Sequence, residues 1–214
     1  MTRMLSYRCA YLFFAQVLLL VLLPFLVASE QGRIAANLLN IVIMITAVTA
    51  MGRSRLSLPT AVLLGLPAFA LAATGIVSGE LRYLVLSWGF SSAVYVVALV
   101  SLLRYIFSPA AMTADKLYGA AATYLLLGVL WAYLYAILDQ VYPGSFAIGG
   151  TPVTAATMAD LLYFSFSTFT TTGFGDVTPV LHHARMLAVI EQVAGVLFVA
   201  ILIARLAGIY SPRE

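Results

Sequence analysis

The sequence predicts an all-α membrane protein with six spanning helices and a re-entrant hairpin between the fifth and the sixth. Three observations carry this. Of the 214 residues, 63% are hydrophobic and 9% charged, where soluble domains carry about 45–50% and about 25%. The apolar residues gather in six runs, each near the roughly 20 residues that a helix needs to cross a bilayer. Residues 140–180 break that pattern, being too long for a turn and too short to cross twice. A compact soluble body cannot hide so much apolar surface. The solvent is partly lipid. Composition therefore excludes a soluble enzyme, a disordered tail and a nucleic-acid binder, since the net charge is only +3 and the 11 basic residues are scattered. Cys9 is the single cysteine and makes no intrachain disulfide.

The six runs cover residues 9–28, 34–51, 58–77, 83–107, about 117–137 and about 185–210. Loops 29–33, 52–57 and 78–82 are short, so successive helices are antiparallel neighbours. With the N-terminus inside, Arg3, Arg8, Arg53, Arg55, Arg104, Lys116, Arg205 and Arg213 fall inside, and only Arg33, Arg82 and Arg185 outside. That bias puts both termini in the cytoplasm and the chain in the cell membrane. A cleaved signal peptide is the alternative for the first run, although its apolar stretch exceeds the usual 7–15 residues. Cleavage would leave the rest of the orientation unchanged.

Within residues 140–180, Thr157 and Asp160 have the spacing of a capping box, which starts a short helix at about Met158 and carries it to Phe169. It runs into Thr170-Thr171-Thr172-Gly173-Phe174-Gly175-Asp176. Two glycines around one aromatic allow a backbone that alternates between left- and right-handed regions. Such alternation turns successive carbonyls to one side, where rings from several copies can replace the water around a dehydrated cation. Thr171, Thr172, Gly173 and Phe174 would supply those carbonyls, with the Thr171 hydroxyl as an innermost ring. The short helix would aim its negative C-terminal end, roughly half a charge, at the same place. Asp176 sets a carboxylate at the outer mouth, and Pro179 ends the extended segment before the last helix.

These residues resemble the selectivity-filter signature of the tetrameric pore-loop potassium channels, Thr-Thr-x-Gly-Phe-Gly-Asp followed by x-x-Pro. The likeness covers residues 117–210, with Arg185 at a commonly basic position and Gly195 where that family carries a hinge glycine. It implies a potassium-selective channel formed as a homotetramer in membrane lipid, with permeant potassium ions, no resident cofactor and no catalysis. It also implies filter support from Gly175, Asp176 and Tyr163, and a gating hinge at Gly195. Where relatives have Val or Ile, Tyr and Trp-Trp, this chain has Thr172, Phe174 and Tyr163-Phe164. A non-selective monovalent cation channel is the alternative that these differences favour. Gly173-Phe174-Gly175-Asp176 also fits the Gly-x-Gly-Asp of intramembrane aspartyl proteases. That chemistry needs a second aspartate in a Tyr-Asp pair and a Pro-Ala-Leu segment, and neither occurs; Asp139 and Asp160 are expected at helix ends near water.

Residues 1–111 are read as a four-helix transmembrane domain and 112–214 as a pore domain. Voltage sensing needs several charges in one span, and the fourth run has no basic residue between Arg82 and Arg104. Weak or absent voltage gating follows. Glu191, about two turns into a span, needs a partner or water. It is expected behind the filter against Ser165, Ser167 or Thr168, or else in an outer vestibule. His182-His183 would be polar interface residues, with metal or proton binding as the lesser reading, and Arg205 an inward snorkelling anchor.

Overall fold

The computed structural model describes residues 8–27, 39–40, 42–44, 46–47, 57–109 and 113–210. Its helices are α1 (Arg8–Val27), α2 (Ser57–Ser78), α3 (Leu81–Ile106), α4 (Ala114–Val141), α5 (Met158–Phe169) and α6 (His182–Tyr210). Three short strands, β1 (Phe146–Ile148), β2 (Thr151–Pro152) and β3 (Val177–Pro179), lie among the last three helices. Among the described residues, α1, α3, α4 and α6 each hold a stretch long and apolar enough to cross a membrane, and α2 holds a shorter apolar stretch, Val62–Ser78. The protein is a multi-pass membrane protein. Most of the run expected at 34–51 lies outside the described residues; those described within it are helical.

Two compact units divide the chain, Met1–Leu134 and Tyr135–Glu214, with the break inside α4. In the first, α2 and α3 form a hairpin. Gly79 takes a left-handed φ of 70° and returns its N–H to the Gly75 carbonyl at 3.0 Å, a helix stop that glycine permits cheaply. A Cβ on Gly75 would stand 2.8 Å from the Leu84 side chain, so a glycine there lets the two helices touch. Buried polar groups in an apolar medium need partners. Accordingly the Tyr95 hydroxyl donates to the Asn40 side-chain oxygen, and Asn40 donates to the Tyr133 hydroxyl at 2.7 Å.

The start of α4 carries two opposite charges that serve two helix ends. Asp115 accepts the Cys9 backbone N–H at 2.9 Å in the first turn of α1 and the Tyr105 hydroxyl at 3.0 Å. Lys116, only 3% exposed, donates to the Ser108 carbonyl just past α3 at 3.2 Å. A carboxylate at a helix N-terminus and an ammonium at a C-terminus both oppose the helix dipole favourably.

In the second unit the strands form one sheet in the order β2-β1-β3, both pairings antiparallel. Three aromatics hold it against the helices. Tyr135, Phe146 and Phe164 meet edge to face with centroids 5.0–5.6 Å apart, the arrangement that ring quadrupoles favour. Phe146 and Tyr135 are fully buried there.

Candidate ion-conducting site

The short helix begins as its sequence requires. Thr157 Oγ1 accepts the Asp160 N–H at 3.2 Å, and Asp160 Oδ2 accepts the Thr157 N–H at 3.1 Å. This capping box satisfies two donors that a helix start leaves open. At the other end the last carbonyls of a helix lack partners, and here the following loop supplies them. Thr171 N–H donates to the Thr168 carbonyl at 3.0 Å. The Ser167 carbonyl accepts both Thr172 N–H at 2.9 Å and Gly173 N–H at 3.1 Å. The Ser167 hydroxyl receives Phe174 N–H at 3.4 Å. Ser167 is the fastening point of the loop.

The fastened backbone alternates in hand. Thr171, Gly173 and Gly175 have φ of 60°, 61° and 81°, while Thr172 and Phe174 do not take positive φ. For the glycines this costs little. For a β-branched threonine it is strain of about 1–3 kcal/mol, held in place by its surroundings. Residues 170–176 are all exposed in the single chain, and Phe174 is 69% exposed.

Around this loop, Phe174 stacks on Tyr163 with centroids 6.1 Å apart and planes 12° from parallel. Desolvation first, and then the neighbouring Asp176 carboxylate, raises the pKa of the Tyr163 phenol above the ordinary value. The phenol therefore stays protonated at neutral pH. Asp176 accepts the Val177 N–H at 3.0 Å through Oδ1.

Glu191 lies in α6 with no exposed surface. Its Oε1 accepts the Ser165 hydroxyl at 2.6 Å, and its Oε2 accepts the Tyr135 hydroxyl. Of the three hydroxyls in reach by sequence, Ser165 is the one that meets it, and an outer-vestibule position in water is ruled out by burial. Tyr135 was not foreseen; an aromatic in an apolar run reads as packing, although a buried phenol needs a partner. Four residues along α6, a Cβ on Gly195 would stand 2.5 Å from the Phe169 carbonyl oxygen. Gly195 is thus a point of close backbone approach.

Asp139 corrects its expected place near water: it is 1% exposed and accepts the Ala156 N–H at 2.7 Å. Asp160 is half-buried within its capping box. His183 stacks flat on Tyr142, centroids 4.3 Å apart, and among the described residues no group of three or more His, Cys, Asp or Glu is placed to hold a metal ion. Arg185 donates to the Pro179 carbonyl at 3.2 Å.

Residues 120–211, which contain the short helix, the fastened loop and α6, match a protein family described as Ion channel. This segment belongs to the pore-loop ion-channel superfamily. No solved structure matches the chain. An ion-channel domain thus occupies the C-terminal part of this multi-pass membrane protein, and the alternating loop lies inside it.

Proposed function

We propose that four copies of this chain surround one pore and conduct potassium ions passively, with the loop after α5 as the selectivity filter. In this reading α5 is the pore helix of a re-entrant hairpin, α4 and α6 are the outer and inner helices, and both termini are cytoplasmic in the cell membrane. The observation that carries the reading is the alternating hand at Thr171, Gly173 and Gly175 in a loop fastened to the end of a helix. That alternation directs the carbonyls of Thr171, Thr172, Gly173 and Phe174 to one side, with the Thr171 hydroxyl below them. Neutral oxygens of this kind strip water from a monovalent cation without trapping it. One hairpin cannot enclose an ion, and its exposed side is left for other copies. Gly175 and Asp176 shape the outer mouth, Tyr163 and Glu191 hold the filter to its helices, and Gly195 is the pivot of α6. Residues 1–111 act as a scaffold without sensor charges, and the pore domain is 112–214.

The test is recording from the purified chain in planar lipid bilayers. The current reverses near the potassium equilibrium potential when potassium and sodium gradients oppose each other. Reversal near zero would replace this reading with a non-selective cation channel.

A further inference from the structure

We propose that the β1–β2 hairpin, anchored by Asp139, is a frame that positions the exit of the ion path, so that the lifetime of the conducting filter is set by residues that never touch the ion. The proposal rests on reading residues 171–174 as the filter.

The frame begins where the filter ends. β3 starts at Val177, directly after Asp176, so loop and strand are one continuous backbone. Against it β1 pairs in register as Ile148↔Val177, Ala147↔Thr178 and Phe146↔Pro179. Beyond one end of that pairing, Gly149 N–H donates to the Asp176 carbonyl at 2.7 Å, and beyond the other, Val180 N–H donates to the Ser145 carbonyl at 2.8 Å. The segment from Asp176 to Val180 is thereby laid against Ser145 to Gly149 along its whole length.

The hairpin that does this is stiff by design of its turn. Gly149 and Gly150, the two residues between the strands, have φ of 57° and 83°. Positive φ at both positions is the turn whose twist matches paired strands, and it also aims the Gly149 N–H at Asp176. A sheet of such short strands does not stand alone in water. It needs roots, and it has two. Phe146 enters the aromatic cluster with Tyr135 and Phe164. On the return from β2, the buried Asp139 carboxylate holds the Ala156 N–H, one residue before the Thr157 cap of α5. A charge-assisted bond to a backbone N–H is among the stronger hydrogen bonds. Through Asp139 the same frame fixes the start of the pore helix and the exit of the filter. Asp139 is a positioning residue, acting through Ala156 and the hairpin.

The full chain is reconstituted in planar phospholipid bilayers with potassium on both sides, and two quantities are read: single-channel conductance and the rate of entry into long non-conducting periods. Asp139→Ala speeds that entry by about tenfold, the size expected for one such bond, and leaves conductance unchanged. Asp139→Asn, which retains a carbonyl acceptor for Ala156, returns the rate toward that of the unaltered chain. In a second arm, Ala147→Cys and Thr178→Cys stand directly opposite each other, where antiparallel strands bring Cα atoms within disulfide reach. Oxidation of that pair slows entry and reduction reverses it. Unchanged rates in both arms overturn the frame, as does altered conductance with unaltered rates. If Asp139→Ala fails to assemble, the cysteine pair alone decides. Absence of any cation current from the unaltered chain overturns the channel reading and this inference together, whereas normal currents with insensitive rates overturn the frame alone.

Discussion

Gly195 meets the carbonyl oxygen of Phe169 so closely that a Cβ on Gly195 would stand 2.5 Å from it. One turn earlier on each helix, Glu191 accepts the Ser165 hydroxyl at 2.6 Å. Both contacts advance by four residues along α5 and α6, so the two helices are matched turn for turn where the loop after α5 begins.

Gly195→Ala is expected to destabilise the protein by about 1–3 kcal/mol, the range for forcing extra atoms into a packed site. The obstacle is backbone, which has no rotamer to swing away. Thermal unfolding in detergent measures it. An alanine variant as stable as the unaltered protein, with only its open probability changed, would leave a pure hinge and no packing role.

Glu191, Ser165 and Tyr135 should behave as one unit. Removing either hydroxyl, by Ser165→Ala or Tyr135→Phe, leaves the buried Glu191 carboxyl group short of a partner and costs about 1–3 kcal/mol. In a Glu191→Gln background the same changes cost a different amount, because the two hydroxyls then face an amide, only one atom of which accepts. Filter inactivation should change rate in all three single variants while single-channel conductance stays nearly constant. Additive double mutants, or a fall in conductance with inactivation untouched, would contradict this.

Gly175→Ala should abolish or severely disturb conduction, since φ at this position is 81° and side chains rarely adopt that region. Thr171→Ala removes a hydroxyl and should be milder. Thr171→Gly separates the two contributions of that residue: it relieves the strained φ yet deletes the same hydroxyl. Assembly measured by size-exclusion chromatography should be preserved in all three. Normal potassium currents from the Gly175→Ala protein would mean that this loop is not the filter.

Tyr163→Phe should shorten conducting periods at neutral pH by removing the hydroxyl beside Asp176. The pH dependence follows from the direction of the shift. The phenol's pKa is raised above its ordinary value of 10.0, so the neutral form persists below that value and is lost only as pH rises past the raised one. The Tyr163 contribution is therefore flat from acid to neutral pH and disappears in alkali. A difference between unaltered and Tyr163→Phe channels that vanished between pH 5 and pH 8, about the range in which histidine titrates, would show that another group carries the effect.

Open probability should depend only shallowly on voltage, since α3 has no basic residue between Arg82 and Arg104 and one charge moved through 100 mV supplies only about 2.3 kcal/mol. Activation as steep as several elementary charges per channel would refute it.

Side-chain chemistry at fixed spacing was legible in the sequence. Thr157 and Asp160 announced the start of α5, and an intramembrane carboxylate at Glu191 demanded a hydroxyl nearby. What stayed hidden depended on partners distant along the chain. Strands of two or three residues such as Thr151–Pro152 are too short to show a period of two, so the sheet has no pattern of its own. A β-branched residue favours negative φ, and only the double acceptance at the Ser167 carbonyl, with the turn around it, holds Thr171 at 60°. Asp139 sits in the last turn of α4, where a carboxylate reads as solvent-facing; the chain that buries it arrives 17 residues later.

The bond from the Cys9 N–H to Asp115 spans 106 residues of sequence, and that distance has a meaning in time. A ribosome adds roughly 5–20 residues per second, so Cys9 is synthesised on the order of 5–20 s before its capping carboxylate. Tyr105, the other donor to Asp115, also precedes it. The order of biogenesis is therefore built into this carboxylate: the first helix and the end of the third wait, unfinished at that face, until the fourth begins to emerge. A nascent chain halted before residue 115 would hold α1 with its first turn uncapped, and release of the next few residues would close it.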